Sequence, residues 1–302
     1  MIHRPVLLNE IIEHLDPQPN ENFIDATFGM GGLGLAILER TSPNGKLIGI
    51  DADPELSQFI QEISAEIQAR EKEERFVLIN DSFIHIRTIV SRLKIRPIHG
   101  IVFDLGLSSW HLEKSKRGFS FLKEPEELDM RFNPEELALR AKDILNQWSR
   151  QDLARIFREY GEERFAERIA KAIFETRRKK RISTVGSLLE IITRAIPQRF
   201  WNSRRHPATK IFQALRIAVN NELENLHAVL PLAFDVLSPD GRLAVISFHS
   251  LEDKIVKQFF LKQKRARYAA ILTKKPILPK REEIKLNPRS RSAKLRVLRK
   301  LS

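Results

Sequence analysis

The stretch FIDATFGMGGLG, Phe23 to Gly34, followed at Lys46 by KLIGIDADP, decides how the rest of the chain is read. A short apolar run ends at Asp25, and four glycines, Gly29, Gly31, Gly32 and Gly34, follow within six residues. Ordering that many glycines costs conformational entropy, which argues against a plain tight turn. Gly29, Gly31 and Gly34 spell G-x-G-x-x-G, and Asp51 lies 22 residues after Gly29. Alone, this is the dinucleotide fingerprint with its ribose acid, and it reads as NAD.

Further runs resemble the first. NFIDA, KLIGID, RFVLIN, GIVFDLG and GRLAVISF are short, rich in Ile, Val and Phe, and bounded by Gly, Asp, Asn or Ser. They predict buried strands of a parallel sheet. Helical patterns at 35–39, 54–70 and 84–93 separate the early strands, so the fold class expected is α/β, built from right-handed βαβ units. The fourth strand ends by Leu105 and the fifth begins only at Arg242. Between them, SRQDLARIFREYG offers Ser149 and Asp152 as an N-terminal cap and Gly161 as a stop. Phe165, Ile169 and Ile173 share a helical face, and another helix runs from about Thr184 to Ile196, before Pro197. The expectation is an all-helical domain at 130–205, inserted in a sheet domain of 1–129 and 206–302. A single helix from Pro207, with Ile211, Leu215, Val219, Leu223 and Leu226 inward, is expected to re-enter the sheet domain. YAAILTKK and AKLRVLRKL predict two last strands.

Ligands of an open parallel sheet bind beyond the carboxyl ends of its strands. An acid or amide closes each early strand here: Asp25, Asp51, Asn80 with Asp81, and Asp104. A dinucleotide needs the glycine turn and one ribose acid. S-adenosylmethionine (SAM) has a use for the whole series: a carboxylate for its ammonium, an acid for its ribose and an acceptor for its adenine amine. The acid series therefore favours SAM, with NAD as the alternative.

Composition narrows the partners. The chain has 302 residues, no cysteine and a net charge of +13. Disulfides, cysteine-ligated zinc, iron–sulfur clusters and a cysteine nucleophile are excluded, and no metal site is expected. No apolar run approaches the roughly 18 residues of a membrane span, and the N-terminus lacks a signal peptide's apolar core, so a cytoplasmic location is expected. From Lys262 to Ser302 there are 15 Lys and Arg against 2 Asp and Glu, while the first 261 residues balance at 37 of each. The whole excess sits in a C-terminal tail, which predicts a nucleic-acid partner; the bland alternative is a solvated tail.

The motifs HRPVLLNE (3–10), IDATFGMGGLG (24–34), FDLGLSS (103–109), RGFSF (117–121), LDMR (128–131), YGEERFAERIAKAI (160–173), HPATKIFQALRIAVNNEL (206–223), GRLAVISFHSLEDKIVK (241–257) and NPRSRSAKLRV (287–297) occur in this order. Together they closely resemble the bacterial 16S ribosomal-RNA methyltransferase H family, from residue 3 to the last strand. The resemblance implies a class I, Rossmann-like SAM-dependent methyltransferase sheet with an inserted helical domain. It implies methylation of the 4-amino group of a cytidine in the decoding region of the small ribosomal subunit. Cofactor contacts carry over to Gly31, Gly32, Leu33, Asp51, Phe83, Asp104 and His111. Leu33 stands where a histidine is expected and His111 where a glutamine is expected, so a side-chain bond at Leu33 is lost while a backbone contact survives. A homodimer is compatible with this reading.

Asp104 occupies the place of the catalytic acid, either for the cofactor or for the target amine. Methylation at the cytosine 5-carbon normally needs a thiolate, and its absence favours an amino target. His249, in ISFHSLED, either handles protons or packs beside a helix capped by Ser250 and Asp253. Arg and Phe in RGFSF and DMRF suit stacking of an unpaired base, although Phe119, Phe121 and Phe132 are equally read as core. Trp201 beside Arg204 and Arg205 is an aromatic–basic cluster of the insert. The rival functions are an NAD oxidoreductase and a non-catalytic rRNA-binding assembly factor.

Overall fold

The computed structural model describes residues 5–58, 75–201 and 206–301. Most of the helix expected at 54–70 lies outside that range, as do Arg204 and Arg205; residues 54–58 are helical. The chain forms two compact units, Met1–Ser108 with Leu223–Ser302, and Ser109–Glu222.

The first unit holds a seven-stranded sheet of order β3-β2-β1-β4-β5-β7-β6. Its strands are β1 (Phe23–Asp25), β2 (Leu47–Asp51), β3 (Phe76–Asn80), β4 (Gly100–Asp104), β5 (Arg242–Ser247), β6 (Ala269–Ile271) and β7 (Lys294–Lys300). All seven are where the apolar runs place them. β1 to β5 pair in parallel, whereas β7 runs antiparallel to both β5 and β6. This is the Rossmann-like α/β class expected. Ile24, Ile48, Ile50, Ile101, Phe103 and Val245 form the buried centre of the sheet. Continuous apolar runs arise because a sheet covered on both faces leaves no polar alternation. Helices α1 (Leu8–Leu15), α2 (Gly32–Arg40), α3 (Ile86–Leu93), α10 (Glu222–Val236) and α11 (Ser250–Arg265) accompany it. The strand order reverses between β1 and β4, so the crevice beyond their carboxyl ends is the topological switch point.

The second unit is helical: α4 (Ser109–Glu113), α5 (Ala141–Gln147), α6 (Arg150–Glu159), α7 (Ala166–Arg177), α8 (Val185–Ala195) and α9 (Thr209–Asn220). Ser149 caps α6 by accepting from the Asp152 N–H at 3.1 Å, and Ile169 and Ile173 are buried on α7. This unit contains the span 130–205 and extends beyond it on both sides, over 109–129 and 206–222, which were expected in the sheet domain.

One expectation needs correction. The helix from Pro207 is two helices. α9 stops at Asn221, whose φ of 51° is left-handed, and α10 begins at Glu222. Asn tolerates that conformation and ends helices. Hence Ile211, Leu215 and Val219 are buried on α9, which packs on α6 and α5, while Leu226 joins the sheet core. The basic C-terminal segment folds as its two last apolar runs predict, and not as a solvated tail. It closes α11, adds β6, α12 (Arg281–Leu286) and β7, and completes one edge of the sheet. Among the described residues, no helix is long and apolar enough to cross a membrane.

Candidate active site

The glycine turn links β1 to α2. Gly31 caps α2 with φ 77°, and a Cβ there would lie 2.8 Å from the Phe28 ring. Phe28 in turn stacks on Phe76, with centroids 5.0 Å apart. The turn therefore keeps its glycines for two reasons, a left-handed backbone and a ring packed beneath it. Gly32 opens α2, and Leu33 is buried, so its side chain fills the core where a histidine was expected.

Asp51 at the end of β2 holds this turn. Its Oδ2 accepts from the Gly29 N–H at 2.8 Å and its Oδ1 from the Asp53 N–H at 2.9 Å. Asn80 and Asp81 bond the Asp51 carbonyl from the neighbouring strand end. Asp81 also meets His85 Nδ1 at 2.7 Å. Phe83 lies in the 3-10 turn after β3, half-buried, with its ring edge-on to Phe103 at 5.7 Å.

Asp25 and Asp104 end the two strands at the switch point. Asp25 is 1% exposed, and burial pushes its carboxyl up to about 7; the Thr27 N–H opposes the rise and the Asp51 charge adds to it. Thr27 also ties the two strands together, because its Oγ1 accepts from the Asp104 N–H at 2.6 Å. Asp104 is pushed up to about 8 by burial, with the charges of Asp25 and Glu252 adding. Its Oδ1 is sealed from solvent and meets no hydrogen-bond donor among the described residues. A buried carboxylate oxygen left in that state is costly unless a ligand supplies a partner.

Glu252 was not singled out from the sequence. It is 3% exposed, and its Oε2 accepts from the Phe248 N–H at 2.8 Å and the His249 N–H at 3.2 Å. His249 Nδ1 accepts from the Glu252 N–H at 3.4 Å, and its Nε2 lies 3.2 Å from Glu252 Oε1. The cap of α11 is thus the pair His249–Glu252, not Ser250–Asp253. The H-x-x-E spacing after strand five is the signal that points to it. Asp253 instead binds Arg296, at 2.6 Å, and Lys294, at 3.4 Å.

The remaining sequence candidates lie in the helical unit. His111, on α4, is 6% exposed, with its ring 5.2 Å from Phe119 and 5.1 Å from Phe132. Phe119 is core, stacked on Phe132, and Phe121 already carries His206 on its face at 4.6 Å. Arg117 donates to the carbonyls of Arg131 and Phe132. Arg131 is held by both oxygens of Asp129. These arginines hold their own loops together.

Comparison with known proteins shows the family. The family model described as the MraW methylase family matches residues 1–301. A ribosomal RNA small subunit methyltransferase H of Dictyoglomus thermophilum is 46% identical over 296 residues, covering 98% of this chain and 96% of that protein. Proteins of the same name from Heliobacterium mobile and a Sulfurihydrogenibium species are 43% and 45% identical, each alignment covering 99% of both chains. With a full-length match to the family model and relatives above 40% identity, this chain belongs to the MraW methylase family.

Proposed function

We propose that this protein transfers the methyl group of SAM to the exocyclic 4-amino group of a cytidine in the decoding region of 16S rRNA. The observation that carries the reading is Asp104 at the β1–β4 switch point, half-buried, with its Oδ1 sealed from solvent and lacking a donor among the described residues. Asp25 and Asp104 are held above their ordinary values by burial and by the acids beside them. A cation entering beside them lowers both. SAM carries an ammonium and a sulfonium, so this donor set fits it; a dinucleotide's pyrophosphate would meet buried acids instead.

When bound, SAM supplies a methyl group already activated on a positively charged sulfur. The residues do the rest. Asp51, oriented by Gly29 and Asp53, accepts the ribose hydroxyls. The backbone of Gly31, Gly32 and Leu33 allows close approach at the turn, and Phe83 flanks the adenine. His111 is assigned to the cofactor by the family resemblance. A cytosine amine is a poor nucleophile because its lone pair is delocalised into the ring. The site must align the amine with the methyl group and accept its hydrogens as charge develops. Asp104, ionised once a cation sits beside it, is the acceptor at the end of β4. The chain has no cysteine, so no thiolate is available for attack at the ring 5-carbon.

Incubating the protein with SAM and unmodified 30S subunits, or free 16S rRNA, tests this, followed by nucleoside analysis of the RNA. The expected product is cytidine methylated on its 4-amino nitrogen. A methylated adenosine or guanosine would overturn the base assignment. No transfer to either substrate would leave the assembly-factor reading.

A further inference from the structure

The helical unit carries a cluster that the methyl-transfer site does not use. After α8, Pro197 leads into a 3-10 turn, Gln198–Phe200, followed by Trp201. Phe200 is 40% exposed and Trp201 41%. The Arg164 guanidinium lies 4.4 Å from the Phe200 centroid and 4.7 Å from that of Phe165. Arg199 lies 4.9 Å from the same Phe200 ring, and the two phenyl rings are 5.2 Å apart. The Trp201 indole is anchored by its Nε1–H, which donates to the Ile196 carbonyl at 3.0 Å.

A surface cation–π pair by itself is an ordinary way to cover an aromatic ring. This cluster differs in its charge. Two guanidinium groups crowd one exposed ring, and neither has a carboxylate partner among the described residues. Partly exposed aromatic rings with guanidinium groups against them, and no salt-bridge partner for those groups among the described residues, match one ligand chemistry well. An unpaired nucleic-acid base stacks on such faces, and its flanking phosphates meet the guanidinium edges.

We infer that the pile of Arg164, Phe165, Phe200 and Arg199, together with the Trp201 ring, is a stacking surface for unpaired bases of the RNA substrate. It is separate in the sequence from every residue assigned to SAM. The surface reads no particular base, because every base has a π-face. It holds single-stranded RNA in a given path by combining stacking with phosphate contact. The inference rests on the rRNA reading above.

Binding of poly(A) and of an unmodified 16S rRNA transcript to the full chain, followed by fluorescence anisotropy across a range of salt, tests it. Phe200→Ala should weaken poly(A) binding about ten-fold, the scale of one lost stacking contact, with an unchanged slope against salt. Arg164→Lys with Arg199→Lys keeps the charge but removes the planar faces, and should also weaken binding. Affinity left intact in either folded variant overturns the proposal. A measurement on the intact surface guards against a variant that fails to fold. With Trp110 and Trp148 changed to Phe, the remaining Trp201 emission should be quenched by poly(A). No quenching, or equal quenching by poly-glutamate, overturns it, the latter in favour of an acidic protein partner. The two proposals fail separately. A wild-type chain that methylates no rRNA defeats the function, whereas a chain that methylates rRNA with Phe200→Ala affinity unchanged defeats only this surface.

Discussion

The two edges of one sheet treat charge in opposite ways. At the carboxyl ends of the parallel strands, Asp25 is buried and Asp104 half-buried, burial and neighbouring acids hold both carboxyls up, and Asp104 Oδ1 has no donor among the described residues. At the antiparallel edge, β7 is lined with cations that are answered within the fold. Arg296 and Lys294 bind Asp253, and Lys300 Nζ donates to the carbonyls of Phe234, Asp235 and Leu237. Charge answered internally builds structure; charge left unanswered in a crevice marks where a ligand completes the arrangement. Substitutions at the two edges should therefore fail in different ways.

Asp104→Asn should have the largest effect, and in two directions. Methyl transfer should be lost even at saturating SAM, because the amide does not accept the amine's hydrogens as a carboxylate does. Stability should rise. The folded acid titrates near 8 against an ordinary 3.8, so its protonated form favours the fold. That contribution is whole below about pH 3.8 and is lost as pH climbs through about 8. Asparagine, neutral throughout, retains it. At about 1.4 kcal/mol per pKa unit the gain at pH 9 is on the order of several kcal/mol, and it should vanish at pH 4. Thermal melts of the SAM-free protein at both pH values decide this; an equal shift at both would erase the distinction between the edges.

Arg296→Met should act only on stability. It strands Asp253, 14% exposed at its side chain, with Lys294 as the remaining partner. Breaking such a pair costs about 3–5 kcal/mol. Burial works to raise the Asp253 pKa, but the hydrogen bond and charge of Arg296, with help from Lys294, hold it below its ordinary value. This stabilisation is present above about pH 3.8 and lost as pH falls through the lower folded value, so the variant should lose less on acidification than the parent. Urea titrations at pH 7 and pH 3 measure both effects.

Asp51→Asn should weaken SAM binding by about 1.5–3 kcal/mol, the range for hydrogen bonds to a charged group. The asparagine oxygen can still accept one of the two backbone bonds, from Gly29 or Asp53, which makes it a cleaner probe than alanine. Calorimetry showing unchanged affinity in the folded variant would remove Asp51 from the cofactor site.

The smallest effect on the fold should come from exposed cations of the same basic segment. Lys280, Arg281, Arg289 and Arg291 are exposed, unlike Arg296. Changing all four to Gln should leave SAM affinity unchanged and cost about 0.5 kcal/mol or less at each site. RNA affinity should fall and its dependence on salt should flatten. An unchanged salt slope would show these side chains to be solvated without contacting RNA.

How each region read from sequence follows from what it is made of. Strands were legible because a sheet buried on both faces demands runs such as GIVFD and LAVIS, and few other structures do. The turn was legible because Gly31 needs both a positive φ and room over Phe28, conditions local to a few residues. Asp25, Asp51 and Asp104 were legible as strand-ending acids. Their difference was not. Asp51 is braced by two N–H groups, whereas Asp104 has one oxygen sealed and unmatched, and those states depend on neighbours far along the chain.

The amino-acid order by itself determined the α/β class, the strand positions, the glycine turn and the concentration of positive charge after residue 261, because each depends on short-range pattern or composition. Only the tertiary structure decided that Asn221 breaks one long apolar pattern into helices of two units. It alone gave Asp253 to Arg296 and left the cap of α11 to His249 and Glu252. The reason is physical. Periodicity records which face of a segment is buried, but a polar side chain's partner is chosen by which distant backbone or charge the fold brings within about 3 Å of it.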